Sequence, residues 1–297
     1  MGGVSLPQQT SLVLGDDRFN GKVVWITGAS SGIGRALAHA FDRAGARLIL
    51  SGRDSRSLEP VRQACRTPAD VHLLPFDLAE LDTLPPHAEQ ALRLWGHVDY
   101  MVHNAGVALR ERLVDTPIRR DQQVMATNYF GPLALTKALL PSMLHRQSGC
   151  FVVLSSLSGI YGVPQLSSYA ASKHALHGAF ESLRAEVHDR NIQVTIVIPG
   201  IIRTPIIQHA LTGTGAEYGK AMPAYDRGMD PDLCATRILR AVSRRKEEAL
   251  IGGPEVFTVY LKRFFPTLLS AFVRSHPVRF QNKLINLFSF RRASRDD

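Results

Sequence analysis

The sequence predicts an α/β fold, a doubly wound Rossmann-type domain whose parallel sheet of about seven strands is covered by helices on both faces. Two observations carry this expectation. Short runs rich in Val and Ile alternate with longer segments of helical period, and the runs are too apolar on both sides to be half-exposed antiparallel strands. Strict alternation of strand with helix implies right-handed crossovers and hence a parallel sheet. At 297 residues, 45% hydrophobic and 21% charged, the chain can bury a core without disulfides or metal. Its composition excludes a disordered chain, a collagen-like repeat and a cysteine-stapled miniprotein.

Taken in order, residues 1–20 read as an N-terminal arm. Gln8, Gln9, Asp16 and Asp17 stand in it, and no basic start leads into an apolar block as a signal peptide would. Strands are expected over residues 22–27, 47–51, 71–76, 98–103, 150–155, 193–198 and 249–252. Helices are expected between them over residues 35–43, 57–65, 78–94, 118–144, 168–189 and 232–246. No repeat, low-complexity stretch or linker divides residues 21–253, which form the expected core domain.

Beyond residue 253 lies a basic amphipathic extension. Phe257, Tyr260, Leu261, Phe264, Phe265, Leu268, Leu269 and Phe272 recur at helical spacing opposite Lys262, Arg263, Ser270 and Arg274, with Pro266 expected to break or restart the helix. Phe280, Leu284, Leu287 and Phe288 repeat the pattern opposite Arg279, Lys283 and Asn286. Three readings stay open for the extension: closing over a substrate, packing on another subunit, or lying on an anionic membrane surface.

The net charge of +9 is unevenly spread. From Arg237 onward thirteen Lys and Arg stand against five acids, so the first 236 residues are nearly neutral. A nearly neutral core without a recognised nucleic-acid motif speaks against nucleic acid as a partner. No run approaches the roughly 20 apolar residues of a membrane span. Cys65, Cys150 and Cys234 lie far apart and read as small buried apolar residues, so no metal is expected and a reducing, cytoplasmic location is.

Directly after the first strand stands Thr27-Gly28-Ala29-Ser30-Ser31-Gly32-Ile33-Gly34, followed at once by a helical pattern. Glycines there permit a tight turn and let backbone N–H groups approach a pyrophosphate, whose charge meets the helix N-terminus. Farther on, Tyr169 and Lys173 in Tyr169-Ala170-Ala171-Ser172-Lys173 share one helical face, with Leu176, Ala179, Phe180, Leu183 and Val187 as the buried stripe. An ammonium beside a phenol favours phenolate and is expected to lower the tyrosine's pKa toward working pH, as a tyrosine general acid/base requires.

The glycine spacing is G-x-x-x-G-x-G, and with it the whole core resembles the classical short-chain dehydrogenase/reductases, whose first turn is T-G-x-x-x-G-x-G. The resemblance implies a nicotinamide cofactor held by Gly28, Ser30, Ser31, Gly32, Ile33 and Gly34. Asp77-Leu78 matches the pair that the family places near the adenine. Asn104-Ala105-Gly106 matches its N-N-A-G block, with His103 departing at the first position; His103 itself reads as a satisfied strand-end histidine. Pro199-Gly200-Ile201-Ile202-Arg203-Thr204 fits P-G-x-x-x-T, in which Pro199, Gly200, Ile202 and Thr204 would meet the cofactor, the last two at its nicotinamide end. At the end of the second strand, where a carboxylate would bind the ribose 2′-OH of NAD, stands Arg53. A guanidinium suits the 2′-phosphate, so NADP(H) is the expected cofactor.

The resemblance also implies a catalytic set of Asn128, Ser156, Tyr169 and Lys173, with Ser156 thirteen positions before Tyr169. In the implied mechanism Tyr169 protonates the developing alkoxide, Ser156 hydrogen-bonds that oxygen, Lys173 grips the ribose hydroxyls and keeps Tyr169 acidic, and Asn128 holds a relay water. Tyr169 and Lys173 thus serve the cofactor as well as the chemistry.

Around this set, Ser155, Ser158, Ser167 and Ser168 read as turn and cap residues, and His174 and His177 as ordinary surface of their helix. Tyr161 either lines the substrate mouth or only packs. Residues 213–218 stand where family members fold a lid. The extension resembles that of the steroid-dehydrogenase-like, membrane-associated branch, which implies a hydrophobic ketone or alcohol as substrate and peripheral membrane contact. Family habit implies a homodimer or homotetramer built on the helices flanking Asn128 and Tyr169. The alternative function is a nonenzymatic NADP-binding scaffold or sensor that retains the fold.

Overall fold

Seven strands form one parallel sheet in a computed structural model that describes residues 17–220 and 222–275. They are β1 (Val23–Thr27), β2 (Arg47–Ser51), β3 (Val71–Leu73), β4 (Tyr100–His103), β5 (Gly149–Leu154), β6 (Ile192–Pro199) and β7 (Glu248–Ile251). Their spatial order is β3-β2-β1-β4-β5-β6-β7, and every pairing is parallel, with Val24 opposite both Leu48 and Tyr100. The expected doubly wound sheet is therefore present. Central strands are buried on both faces, which is why Val23, Val24, Trp25 and Ile26 can follow one another without alternation.

The helices are α1 (Gly32–Arg43), α2 (Ser55–Gln63), α3 (Leu84–Trp95), α4 (Ile118–Met125), α5 (Gly131–Arg146), α6 (Ser167–Glu186), α7 (Pro223–Asp226), α8 (Pro231–Ser243), α9 (Thr258–Phe264) and α10 (Pro266–Ser275). One apolar core joins a sheet face to α1, α2 and α8 through Leu37, Phe41, Leu58 and Ile238. The opposite core gathers Ala88, Leu135, Leu139, Leu176 and Phe180 from α3, α5 and α6. Leu269 of α10 is buried in that second core, and Val259, Leu261, Phe272 and Val273 pack against it. Each fully buried aliphatic side chain contributes roughly 1.5–3 kcal/mol.

Three expected elements differ in detail. The helix expected over 118–144 is divided: α4 ends at Met125, a π-helical turn spans Ala126–Phe130, and α5 begins at Gly131. Pro132 has no N–H to donate into the preceding turn, so the backbone ladder must change there. The helix expected from residue 78 starts only at Leu84, because Pro85 and Pro86 suit a first turn and not an interior. Strand β3 stops at Leu73, although Leu74 and Phe76 still donate to Leu50 and Gly52 across Pro75.

Pro266 does restart the helix, between α9 and α10. Most of the expected arm, residues 1–16, and the second amphipathic segment with Arg279, Phe280, Lys283, Leu284, Asn286, Leu287 and Phe288 lie outside the described residues. No helix among the described residues is long and apolar enough to cross a membrane.

Candidate functional site

Strand order reverses between β1 and β4, whose following chain segments leave in opposite directions, and a crevice opens at the carboxyl ends of the strands. A cleft of about 600 Å3 occupies this place. At its floor, Thr27 ties β1 to β4: its hydroxyl donates to Val102 O at 3.3 Å and accepts from the N–H groups of Asn104 and Ala105, each at 3.2 Å. The Asn104 amide donates to Thr27 O at 3.0 Å and Gly28 O at 3.1 Å.

The glycine loop has no room for side chains. Gly28 has a φ of +65°, and a Cβ there would lie 2.8 Å from Ala105 Cα. A Cβ on Gly34 would run into Gly28 O. This bare backbone leads straight into the N-terminus of α1, an arrangement that fits a pyrophosphate. Gly28, Ser30, Ser31, Gly32 and Ile33 line the cleft, as do Arg53, Asp77, Leu78, Asn104, Ala105, Gly106, Pro199, Gly200, Ile202 and Thr204. Gly34 stands behind this lining, buried in α1. Arg53 is exposed at the rim, where a guanidinium can meet a phosphate, and Asp77 Oδ1 accepts from Ala79 N–H at 2.8 Å. The residues thus fit a dinucleotide.

Ser156, Tyr169 and Lys173 line the other part of the cleft. Ser156 stands two residues past β5, capping the turn Leu157–Gly159, and its Oγ accepts from Ser158 N–H at 3.1 Å. Tyr169 and Lys173 come from the first two turns of α6, with Lys173 Nζ 5.7 Å from the centroid of the Tyr169 ring. Nζ donates to Leu154 O at 2.7 Å, so the lysine spans from α6 to the end of β5. Burial pulls the Lys173 pKa down to about 8.

Burial pushes Tyr169 up to about 12, against a smaller downward pull from its hydrogen bond with Ser156. The expectation that Lys173 would lower the tyrosine's pKa is therefore corrected for the protein alone. A dry site disfavours both the phenolate and the ammonium that was to stabilise it.

Asn128 lies in the π-helical turn and is fully buried. Its Oδ1 accepts from Val107 N–H at 2.8 Å, while Nδ2 donates to Val107 O at 2.9 Å and Ser172 Oγ at 3.0 Å. It does not line the cleft wall as described, yet Gly106, which does, lies against it: a Cβ on Gly106 would be 3.3 Å from Oδ1 and 3.6 Å from Lys173 Nζ.

His177 is corrected as well. It is buried, and its Nε2 shares a 2.8 Å hydrogen bond with Ser155 Oγ, while Nδ1 faces Glu181 at 3.4 Å. Ser155 is thus a link between β5 and α6 and not a turn residue. His174 is exposed as expected. His103 is buried with Nε2 on Thr136 Oγ1 at 2.8 Å, and burial pulls its pKa down to about 3, so it stays neutral. Tyr161 packs: it is buried, its hydroxyl lies 3.0 Å from Thr258 Oγ1, and it does not line the cleft. Cys65, Cys150 and Cys234 are buried free thiols.

Residues 205–219 close one side of the cleft. They are pinned rather than loose: Leu211 N–H donates to Ala108 O and Arg110 N–H to Leu211 O, both at 2.8 Å. Val163, Leu166, Ile206, Ile207 and Leu211 make an apolar wall there, with His209, Glu217 and Tyr225 also in the lining. Sequence reasoning missed the tie made by Thr27, although Thr27 stands in the loop motif, and it missed the Ser155–His177 link, for which the sequence carries no local signal.

Comparison with known proteins places the chain among similar ones. A family model described as short chain dehydrogenase matches residues 22–214. The chain is 42% identical over 269 residues to "Dehydrogenase/reductase SDR family protein 7-like" of Drosophila melanogaster, covering 88% of this chain and 82% of that one. Among solved structures, a short-chain dehydrogenase from Streptomyces avermitilis is similar with a TM-score of 0.73 and 30% identity, covering 84% of this chain and 96% of that one. A short-chain dehydrogenase from Sphingobium yanoikuyae in complex with NADPH is similar with a TM-score of 0.67 and 26% identity, covering 77% and 87%.

Proposed function

The chain belongs to the short-chain dehydrogenase family of oxidoreductases, and from that premise we propose an NADP(H)-dependent enzyme acting on a ketone or secondary alcohol of hydrophobic, steroid-, retinoid- or lipid-like character. The observation that carries the proposal is the meeting of Ser156, Tyr169 and Lys173 with a glycine-loop cradle and Arg53 in one cleft. The bound nicotinamide supplies or accepts the hydride. Gly28, Ser30, Ser31, Gly32, Ile33 and Gly34 would hold the pyrophosphate region, Asp77, Leu78, Asn104, Ala105 and Gly106 the adenosine side and floor, and Pro199, Gly200, Ile202 and Thr204 the nicotinamide end.

In the reductive direction the Tyr169 hydroxyl, kept protonated by burial, donates to the carbonyl oxygen as charge develops on it. Ser156 hydrogen-bonds the same oxygen. Lys173 turns its ammonium to the ribose hydroxyls and stabilises the phenolate that Tyr169 becomes. Asn128, which lies directly behind Gly106 of the cleft lining, would hold a relay water.

Arg53 just past β2, where NAD-preferring sites carry a carboxylate, supports NADP(H). The test is a titration with NADPH and with NADH, followed by nicotinamide fluorescence, and then a screen of apolar carbonyls. NADPH is expected to bind far more tightly than NADH, and Arg53→Ala to lose roughly tenfold in NADPH affinity with little change for NADH. Binding of neither nucleotide would move the reading to a scaffold that retains the fold.

Residues 254–297 are proposed to touch an anionic membrane surface peripherally, from an otherwise cytoplasmic protein. Phe257, Tyr260, Phe264, Phe265 and Leu268 are exposed, and residues 256–295 hold no Asp or Glu. Homodimer or homotetramer formation is proposed on the helices flanking Asn128 and Tyr169, where Phe130 and Leu144 are exposed.

A further inference from the structure

The turn after β7 folds back against the cleft from behind. Within it Glu255 is 5% exposed, a rare position for a carboxyl group unless it is partnered. One oxygen, Oε1, accepts from Ile201 N–H and Gly253 N–H, both at 2.9 Å. Ile201 stands between Gly200 and Ile202, which line the cleft, whereas Glu255 does not. The fit around the carboxyl group is close: a Cβ on Gly200 would run into Oε1, one on Gly252 would lie 2.7 Å from Oε1, and one on Gly253 2.7 Å from Oε2.

The same turn has a second attachment. Thr258 Oγ1 donates to Glu255 O at 2.6 Å and lies 3.0 Å from the Tyr161 hydroxyl. Tyr161 N–H in turn donates to Leu157 O, in the turn that follows Ser156. One turn of backbone is therefore tied both to the loop after β6 and to the loop that carries Ser156.

Resting on the oxidoreductase reading above, we infer that Glu255 is a positioning residue that sets the height of the 199–204 loop against the nicotinamide half of the cofactor. Two N–H groups, the buried one of Ile201 and the part-buried one of Gly253, depend on one oxygen. Without it they must move to find other acceptors, and Gly200 and Ile202 move with them. The adenosine half is assigned to the segments that follow β1, β2, β3 and β4, so its binding does not depend on Glu255.

The experiment compares the wild-type protein with Glu255→Gln, Glu255→Asp and Gly253→Ala. It reads affinity for NADPH, fluorescence of the bound nicotinamide, and affinity for 2′,5′-ADP, which has the adenosine and 2′-phosphate but no nicotinamide. Turnover of a reduced carbonyl is a further reading. Gln keeps the length and an acceptor oxygen, and is expected to stay within about twofold of wild type throughout. Asp is one methylene shorter and Gly253→Ala pushes on Oε2. Both are expected to lose roughly tenfold in NADPH affinity and most of the nicotinamide fluorescence gain, while 2′,5′-ADP binds within about twofold of wild type.

Asp and Gly253→Ala variants that match wild type for NADPH overturn the inference alone, because the wild-type protein still binds and turns over. Equal loss of NADPH and 2′,5′-ADP in both variants also overturns it, since that pattern is general damage. A wild-type protein that binds no nicotinamide nucleotide removes the oxidoreductase reading and this inference together.

Discussion

At the scale of single residues, the contest at Tyr169 is between burial and neighbouring charge. Burial wins in the protein alone, pushing the phenol up to about 12 while pulling Lys173 down to about 8. A phenol in that state is a proton donor in waiting, and reduction uses it so. Tyr169→Phe is expected to lower turnover at least about 100-fold, with NADPH affinity within a few-fold of wild type by fluorescence titration. The Lys173 value sets the pH profile: reductive kcat/KM should be level below pH 8 and fall above it as the ammonium is lost. Stability follows every buried group that titrates in this range. Lys173, held low, adds stability as pH rises from 8, because the unfolded chain keeps that proton longer; the thiols of Cys65, Cys150 and Cys234 and the phenols of Tyr161 and Tyr169, all pushed up by burial, keep their protons longer in the folded state, so above about pH 9 stability falls. Urea midpoints from pH 7 to 11 check both signs.

At the scale of elements, the glycine loop and the π-helical turn each trade regularity for position. Gly34 lies in α1 with Gly28 O and the Asn104 amide where a Cβ would stand, so Gly34→Ala must push the loop from the helix or β4 from β1. It is expected to lower stability by about 1–3 kcal/mol, visible as a lower thermal midpoint, and to weaken NADPH binding. The turn Ala126–Phe130 rotates Asn128 inward, where its amide clamps Val107 and Ser172, one residue from Gly106 and one from Lys173. A continuous α-helix over these residues would hand that position to a neighbour.

At the scale of the whole molecule, the apolar and basic C-terminal helices are anchored on one side and open on the other. Leu269 is buried in the second core while Phe264 and Phe265 are 68% and 62% exposed. Flotation with vesicles rich in anionic lipid should carry the wild-type protein upward and leave behind a Phe264→Glu, Phe265→Glu variant of equal thermal stability. Equal flotation of both, or neither, would remove the membrane reading. Light scattering on the same samples reports the subunit number and shows whether these aromatics serve a second copy instead.

Fold class and strand positions were legible in the sequence as local pattern, whereas most of the residues that meet in the cleft were legible only through the resemblance to the short-chain dehydrogenases. Runs of Val and Ile mark strands buried on both faces, glycines mark a loop where backbone must approach a ligand, and the Tyr169–Lys173 spacing places two groups on one helical face. The sequence by itself therefore determined a parallel doubly wound sheet with a nucleotide loop, and the order of its parts.

Only the tertiary structure decided what depends on burial or on partners distant along the chain. His177 reads as surface until β5 brings Ser155 against it, and the Tyr169 pKa follows the dryness of a cleft that no single segment makes. Glu255 looks like an ordinary acid in a turn, yet it lies 54 residues from the Ile201 N–H it receives. Desolvation and long-range hydrogen bonds are set by which elements meet, and one-dimensional spacing carries no record of that.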